Sequence, residues 1–227
     1  MRLLKERELI VEYGRKLLED GLTKGSGGNL SIYNREEGLM AISPSGLDYL
    51  KTDIRDIVIM NLDGEIIEGD RQPSSEYQLH TIFYKGREDI GALVHTHSVY
   101  ATVLGILRQD LPPASYLVAV AGRDVRCGDY ASYGTRELAE NTYRAMEDRY
   151  AAILANHGLL AGHESLERAY NIALQIEHCA EVYCKALAIG RPSILDGEEM
   201  DSLTARFETY GPLEARGESG KRDKKTT

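Results

Sequence analysis

His95 and His97 close the apolar run that begins at Ile90, and their spacing sets the chemical question for the whole chain. Leu93 and Val94, after a Gly-Ala lead-in, predict a short buried strand. Successive side chains on a strand point to opposite faces, so residues two apart project to the same side. Two imidazoles on one face can grip one metal ion, and imidazole suits zinc. A polar strand end would carry the same letters, so the pair alone divides evenly between a metal site and none. Two distant segments add weight: Pro73-Ser-Ser-Glu76 before the pair and Asn156-His157-Gly158 long after it. His157 also follows an apolar run, Ala151 to Ala155, that reads as a buried strand. Strand ends sharing one sheet edge are where a site is assembled from distant sequence, and three histidines with Glu76 would complete a tetrahedral zinc shell. His80 and His178 fall inside predicted helices and His163 in a polar turn, so they carry no chemical expectation.

Three further segments have the composition of anion sites. Gly25-Ser-Gly-Gly28 places three glycines within four residues, a loop whose amides can approach an anion, although a tight turn without a ligand is the more economical reading. Ser43-Pro-Ser-Gly46 is a second small polar turn. Arg71 to His80 opens a helix with Ser74 or Ser75 as its N-cap and Glu76 in the first turn. Serine followed by glutamate is ordinary capping chemistry, yet both hydroxyls and the free amides of that turn could hold a phosphate instead.

The elements that must position these residues follow from periodicity. Residues 3 to 20 predict an amphipathic helix stopped at Gly21, with the glycine-rich loop over 23–32 after it. Residues 38–43 and 57–61 read as strands, and Asp63-Gly64 as a hairpin turn leading into 65–68. A short helix is predicted over 99–107, a break at Pro112-Pro113, and a strand over 115–120. A loop over 127–134 precedes a helix over 135–149 with Thr135 as N-cap. The longest helix is predicted over 165–189, stopped at Gly190, and another over 197–207. Residues 216–227 lack apolar periodicity and read as a disordered charged tail, leaving 1–215 as one domain.

Composition sets the outer limits. The 227 residues suffice for one sizeable core, 42% are hydrophobic, and the absence of any long apolar span predicts a soluble protein with no membrane partner. The first eight residues are charged throughout, unlike a signal peptide. Cys127, Cys179 and Cys184 form no metal-type pair and read as reduced cysteines of a cytoplasmic protein. A net charge of −9 argues against nucleic acid as a partner and requires any phosphate site to be built locally.

Taken together, Gly25-Ser-Gly-Gly-Asn29, Ser43-Pro-Ser-Gly46, Pro73-Ser-Ser-Glu76, Val94-His-Thr-His97, the segment Tyr130 to Glu137, and Asn156-His-Gly158 resemble, in order and spacing, the class II zinc-dependent sugar-phosphate aldolases. These belong to the aldolase/epimerase/adducin-head family, and the likeness is greatest to its fuculose-phosphate aldolase members. The resemblance runs from about residue 5 to 211. It implies an α/β fold, a single domain with a central, mainly antiparallel sheet covered by helices. It implies one zinc ion per subunit, with other divalent ions as alternatives, held by His95, His97, His157 and Glu76. Glu76 would double as the catalytic acid/base. Because such a shell is closed, Glu76 is expected to leave the metal when substrate binds. Gly28, Asn29, Ser45, Gly46, Ser74 and Ser75 match the substrate-phosphate positions, none of them a cation. Tyr116 and Tyr210 match catalytic tyrosines that reach the site of a neighbouring subunit, implying a homotetramer. Tyr133 stands where the fuculose aldolases carry Phe, at the wall facing the aldehyde.

The implied reaction is retro-aldol cleavage of a ketose 1-phosphate to dihydroxyacetone phosphate, through its enediolate, and a small aldehyde. Three alternatives share the scaffold. Pentulose 5-phosphate 4-epimerases place Asp where Glu76 stands and use another Asp near Tyr116. A methylthioribulose 1-phosphate dehydratase would lose water rather than an aldehyde. Adducin-like heads are binding modules without the full metal set.

Overall fold

Strand alternation decides which side of the sheet each residue meets, and here both sides are covered. The computed structural model describes residues 1–209. Eight strands form one sheet: Asn29–Asn34 (β1), Leu39–Ile42 (β2), Val58–Asn61 (β3), Ile66–Glu68 (β4), Ala92–Thr96 (β5), Cys127–Gly128 (β6), Ala151–Leu154 (β7) and Gly158–His163 (β8). Their order is β4-β3-β2-β1-β5-β8-β7-β6. Every neighbouring pair is antiparallel except β6 and β7. The helices are Leu4–Glu19 (α1), Tyr77–Gly86 (α2), Val99–Leu107 (α3), Arg136–Ala145 (α4), Leu166–Ile189 (α5) and Gly197–Thr209 (α6). The expected single-domain, mainly antiparallel α/β architecture is therefore present, while Tyr210 and the predicted tail over 216–227 lie outside the described residues.

Two apolar clusters sandwich the sheet. Ala92 and Val94 of β5 belong to one cluster with Ile10 of α1, Leu104 of α3, Ile176 of α5 and Met200 of α6. Leu93 belongs to the other, with Phe83 of α2 and Leu138 of α4. His95 has the parity of Leu93, so it emerges on the side covered by α2 and α4. Asn29 and Ser31 flank the inward-facing Leu30 and share that side. Arg7 fastens α1: its buried guanidinium donates to the carbonyls of Ile54 and Ile57 and pairs with Glu68 at 3.0 Å. Among the described residues, no helix is long and apolar enough to cross a membrane.

Several local expectations are corrected. Residues 115–120 were predicted as a strand, but Tyr116–Val120 form a short 3-10 helix capped by the Ser115 hydroxyl, which accepts from the Leu117 amide. A short apolar run without alternation suits a buried helical turn as well as a strand. β1 begins inside the stretch predicted as loop, since its glycines hid an apolar alternation starting at Leu30. β6 is a two-residue strand inside the predicted 127–134 loop. His163, expected in a turn, ends β8. The fourth helix stops at Ala145 rather than 149, where Asp148 turns the chain with a positive φ of 57°. Neither Ser74 nor Ser75 caps α2: the cap position is Glu76, with no side-chain capping bond.

Candidate active site

Four side chains from three parts of the chain converge beside β5. Glu76 sits at the N-terminus of α2, His95 at the end of β5, His97 just beyond it and His157 in the turn between β7 and β8. Their ligand atoms all lie within 4.8 Å of one another. The turn is made by Asn156 in the left-handed region, φ 54°, which asparagine tolerates better than most residues. Gly158 follows because any Cβ there would lie 2.0 Å from the Thr96 carbonyl. Gly28, at φ +71°, faces the same limit, since a Cβ would lie 2.5 Å from the His95 carbonyl. The glycines thus let loop and turn press against the histidine strand.

The donor set fits a divalent metal ion. His95 Nδ1 donates to the Leu159 carbonyl at 3.0 Å, which leaves its Nε2 lone pair facing the cluster. His95 Nε2 lies 3.2 Å from His157 Nε2, 3.1 Å from His97 Nε2 and 3.3 Å from Glu76 Oε2, and His157 Nε2 lies 3.6 Å from Glu76 Oε1. Arms of about 2.0–2.1 Å in a regular tetrahedron put ligand atoms about 3.3 Å apart, so these spacings match its edges. Glu76 Oε1 is buried without a hydrogen-bond partner among the described residues, a position that costs free energy unless a cation or donor meets it.

Electrostatics agree with this reading. Burial, helped by the charge of His95, pushes His97 and His157 down to about 4, so both rings are neutral at neutral pH. Burial alone would raise the Glu76 carboxyl, but His95, His157 and the Asn29 amide more than offset it and hold it well below the usual carboxylate range. Burial likewise lowers His95, and the Glu76 carboxylate more than restores it, so this ring rises above its ordinary value. The cluster stabilises positive charge at its centre.

A cleft of about 320 Å³ opens onto the cluster, and Gly28, Asn29, Ser45, Gly46, Ser74 and Ser75 all line it together with Glu76, His97 and His157. The segments suspected of anion binding therefore meet in one place. Two of their amides are committed elsewhere: Ser45 donates to the Gln72 carbonyl and Ser74 to the Ser43 carbonyl. Those two residues can offer only hydroxyls. Ser75 is exposed in the cleft. Among the described residues, none that lines the cleft is a lysine or arginine. Tyr130, Ala131 and Tyr133 form an aromatic and apolar wall, and Gly134 of the same loop sits against the Ser75 backbone. Tyr116 does not line this cleft; it is exposed on the 3-10 helix, stacked on Phe207 of α6. His178 is exposed on α5 and is not one of the clustered side chains. His80, also set aside, is different. It is fully buried and hydrogen-bonded to Asn29 at 2.5 Å, which places it directly behind the site. Its spacing of four from Glu76 on one helix was the available signal.

The described residues thus hold an eight-stranded mixed sheet, six α-helices and a His/Glu cluster. The chain belongs to the class II aldolase and adducin N-terminal domain family, which it matches over residues 8–184. It is 54% identical over 211 residues to a 5-deoxy-D-ribulose 1-phosphate aldolase of Bacillus thuringiensis serovar kurstaki, covering 93% of this chain and 99% of that one. It is 41% identical over 206 residues to a 5-methylthioribulose-1-phosphate/5-deoxyribulose-1-phosphate aldolase of Rhodospirillum rubrum, covering 90% and 92%. A solved structure described as L-fuculose 1-phosphate aldolase superposes with a TM-score of 0.89 at 50% identity, covering 90% of this chain and 96% of that one. The chain is a lyase of the class II aldolase type, and such aldolases are metal-dependent.

Proposed function

We propose that this protein cleaves a short deoxy-ketose 1-phosphate, of the 5-deoxyribulose 1-phosphate or L-fuculose 1-phosphate kind, to dihydroxyacetone phosphate and a small aldehyde. The observation that carries the reading is the opening of one cleft onto both the Glu76–His95–His97–His157 cluster and the six small polar positions suited to a phosphate. The relatives named above support the substrate class. The apolar wall of Ala131, Tyr130 and Tyr133 suits an aldehyde ending in a methyl or thioether group better than a hydroxylated one.

The ligands proposed are His95, His97, His157 and Glu76, and the ion proposed is one zinc per chain, in keeping with nitrogen-rich, near-tetrahedral spacing. A bound divalent cation supplies Lewis-acid stabilisation of negative charge developing on oxygen. The residues of the chain do the rest. Gly28, Asn29, Ser45, Gly46, Ser74 and Ser75 anchor the phosphate through amides and hydroxyls. Cleavage of the C3–C4 bond needs a base for the hydroxyl proton at C4, and then an acid that returns a proton to C3. Glu76 serves at C3: its carboxylate is buried and ionised beside the cleft, so in cleavage it takes up the proton released from the C4 hydroxyl before delivering one to C3, and in condensation it takes the C3 proton directly. Relay of the C4 proton is assigned to Tyr116 or Tyr210, delivered from a neighbouring copy. The exposure of Tyr116 away from its own cleft favours that arrangement and the proposed homotetramer. The proposed compartment is the cytoplasm, with no nucleic-acid partner, in keeping with the acidic charge.

Product analysis on a panel of ketose 1-phosphates tests the reading. Equal amounts of dihydroxyacetone phosphate and aldehyde are expected, with deoxy substrates turned over best. Loss of water with the carbon chain intact, or inversion at C4, would replace the aldolase with a dehydratase or an epimerase.

A further inference from the structure

Behind Glu76 runs a file of buried polar groups, of which the proposed chemistry uses only Asn29. Asn29 Nδ2 donates to Glu76 Oε2 at 2.9 Å. Asn29 Oδ1 meets His80 Nε2 at 2.5 Å, His80 Nδ1 meets Ser31 Oγ at 2.6 Å, and Ser31 Oγ meets the Tyr84 hydroxyl at 2.5 Å. Asn29, Ser31, His80 and Tyr84 are at most 4% exposed. The fold sets this spacing. Asn29 and Ser31 alternate onto one face of β1, while His80 and Tyr84, four apart, share one face of α2.

Donor and acceptor arithmetic leaves one proton arrangement. A carboxylate only accepts, so Asn29 turns its amide N–H toward Glu76 and its oxygen toward His80. That oxygen only accepts, so His80 Nε2 carries the proton. A neutral ring then has a bare Nδ1, which accepts from the Ser31 hydroxyl, and the Tyr84 hydroxyl is left to donate, with Ser31 Oγ and the Ser31 carbonyl at 3.0 Å as its acceptors. A flipped Asn29 would set N–H against N–H at His80 and oxygen against oxygen at Glu76. Glu76 sets the direction of the file, and His80 holds it: turning the Asn29 amide over would require the His80 proton to move from Nε2 to Nδ1 and the Ser31 and Tyr84 hydroxyls to reverse with it. A cleft with no lysine or arginine among its described lining residues depends on such fixed neutral donors to bind an anion.

We propose that His80 is a positioning residue whose Nε2–H locks the Asn29 amide with its N–H toward the cleft, keeping it a donor to Glu76 and to the phosphate of the substrate. This rests on the proposed phosphate site. The test measures binding of dihydroxyacetone phosphate by calorimetry, beside metal content and melting temperature, in Asn29→Ala, His80→Leu, His80→Gln and the Asn29→Ala/His80→Leu double variant. A correctly aimed donor to a charged group is worth roughly tenfold to a hundredfold in affinity. Asn29→Ala and His80→Leu are each expected to lose about that factor with metal content unchanged. The double variant is expected to lose no more than Asn29→Ala alone, because His80 acts only through Asn29. His80→Gln, whose amide can donate to the Asn29 oxygen, is expected to recover most of the affinity. Additive losses in the double variant, or unchanged affinity in His80→Leu beside a weakened Asn29→Ala, overturn the lock and leave the phosphate site standing. Unchanged affinity in Asn29→Ala overturns both. Should His80→Leu fail to fold, His80→Gln decides alongside a nitrogen-15 spectrum of the native histidines, where a proton on His80 Nδ1 rather than Nε2 overturns the assignment.

Discussion

Replacing Glu76 with glutamine separates its two proposed roles. The substitution keeps size and shape but removes the charge and the ability to take a proton. In the native site Oε2 accepts from Asn29 at 2.9 Å and Oε1 lies 3.6 Å from His157 Nε2. Because Asn29 presents N–H, the glutamine must turn its oxygen toward Asn29 and its NH2 toward His157. That costs the metal one ligand and places a donor beside another. Three imidazoles remain, so zinc affinity is expected to fall by about 10–100-fold, as for a weakened supporting contact, and the site fills at modest excess zinc. Loss of the acid/base at C3 is expected to lower turnover by roughly 10²–10⁴, or about 3–5 kcal/mol in the barrier. The assay is exchange of the C3 proton of dihydroxyacetone phosphate with deuterated water, which needs no aldehyde. It is expected to be fast in the native protein and lost in Glu76→Gln with zinc retained. An unaltered exchange rate at full zinc occupancy would refute the role and pass the proton to Tyr116 or Tyr210.

Ser75→Ala is expected to weaken dihydroxyacetone phosphate binding roughly tenfold to a hundredfold. Because Ser75 is exposed and does not cap α2, its unfolding free energy should change by no more than about 0.5 kcal/mol, as read by urea titration. Arg7→Ala strands the carbonyls of Ile54 and Ile57 and the Glu68 carboxylate, and is expected to cost about 3 kcal/mol or more in the same titration, with Arg7→Lys recovering little. Acid should destabilise the metal-free protein through its depressed histidines. Burial, with the charge of His95, holds folded His80 at about 3 and His97 and His157 at about 4, against roughly 6.5 unfolded. Lowered histidine values give stability that is full above about 6.5 and lost as pH falls toward the folded values, at about 1.4 kcal/mol per pH unit for each such group. In His80→Leu the slope of urea midpoint against pH should be shallower by one proton's worth.

The site was more legible than the sheet that holds it. His95 and His97 announce themselves by strand parity, and His157 by the apolar run before Asn156; the structure brings all three within reach of Glu76. Glycine blurred β1, because the residues that let the loop approach His95 also break the strand pattern. Periodicity failed at Tyr116–Val120, where a short apolar run packs as a 3-10 helix under α5 and α6. The serines before Glu76 could have served as caps or as cleft residues; only the observed start of α2 at Tyr77 removes the first reading. For His80 the sequence offers only its spacing of four from Glu76, which many helical residues share; its partners, Asn29 and Ser31, are about fifty residues away.

Zinc titration of chelated protein, with aldehyde release from 5-deoxyribulose 1-phosphate as the readout, tests the central claim most directly. Stripped protein should be inactive, and activity should rise with added zinc to a plateau at one ion per chain, releasing aldehyde and dihydroxyacetone phosphate in equal amounts. Full activity in protein shown by elemental analysis to hold no divalent transition metal would contradict the account.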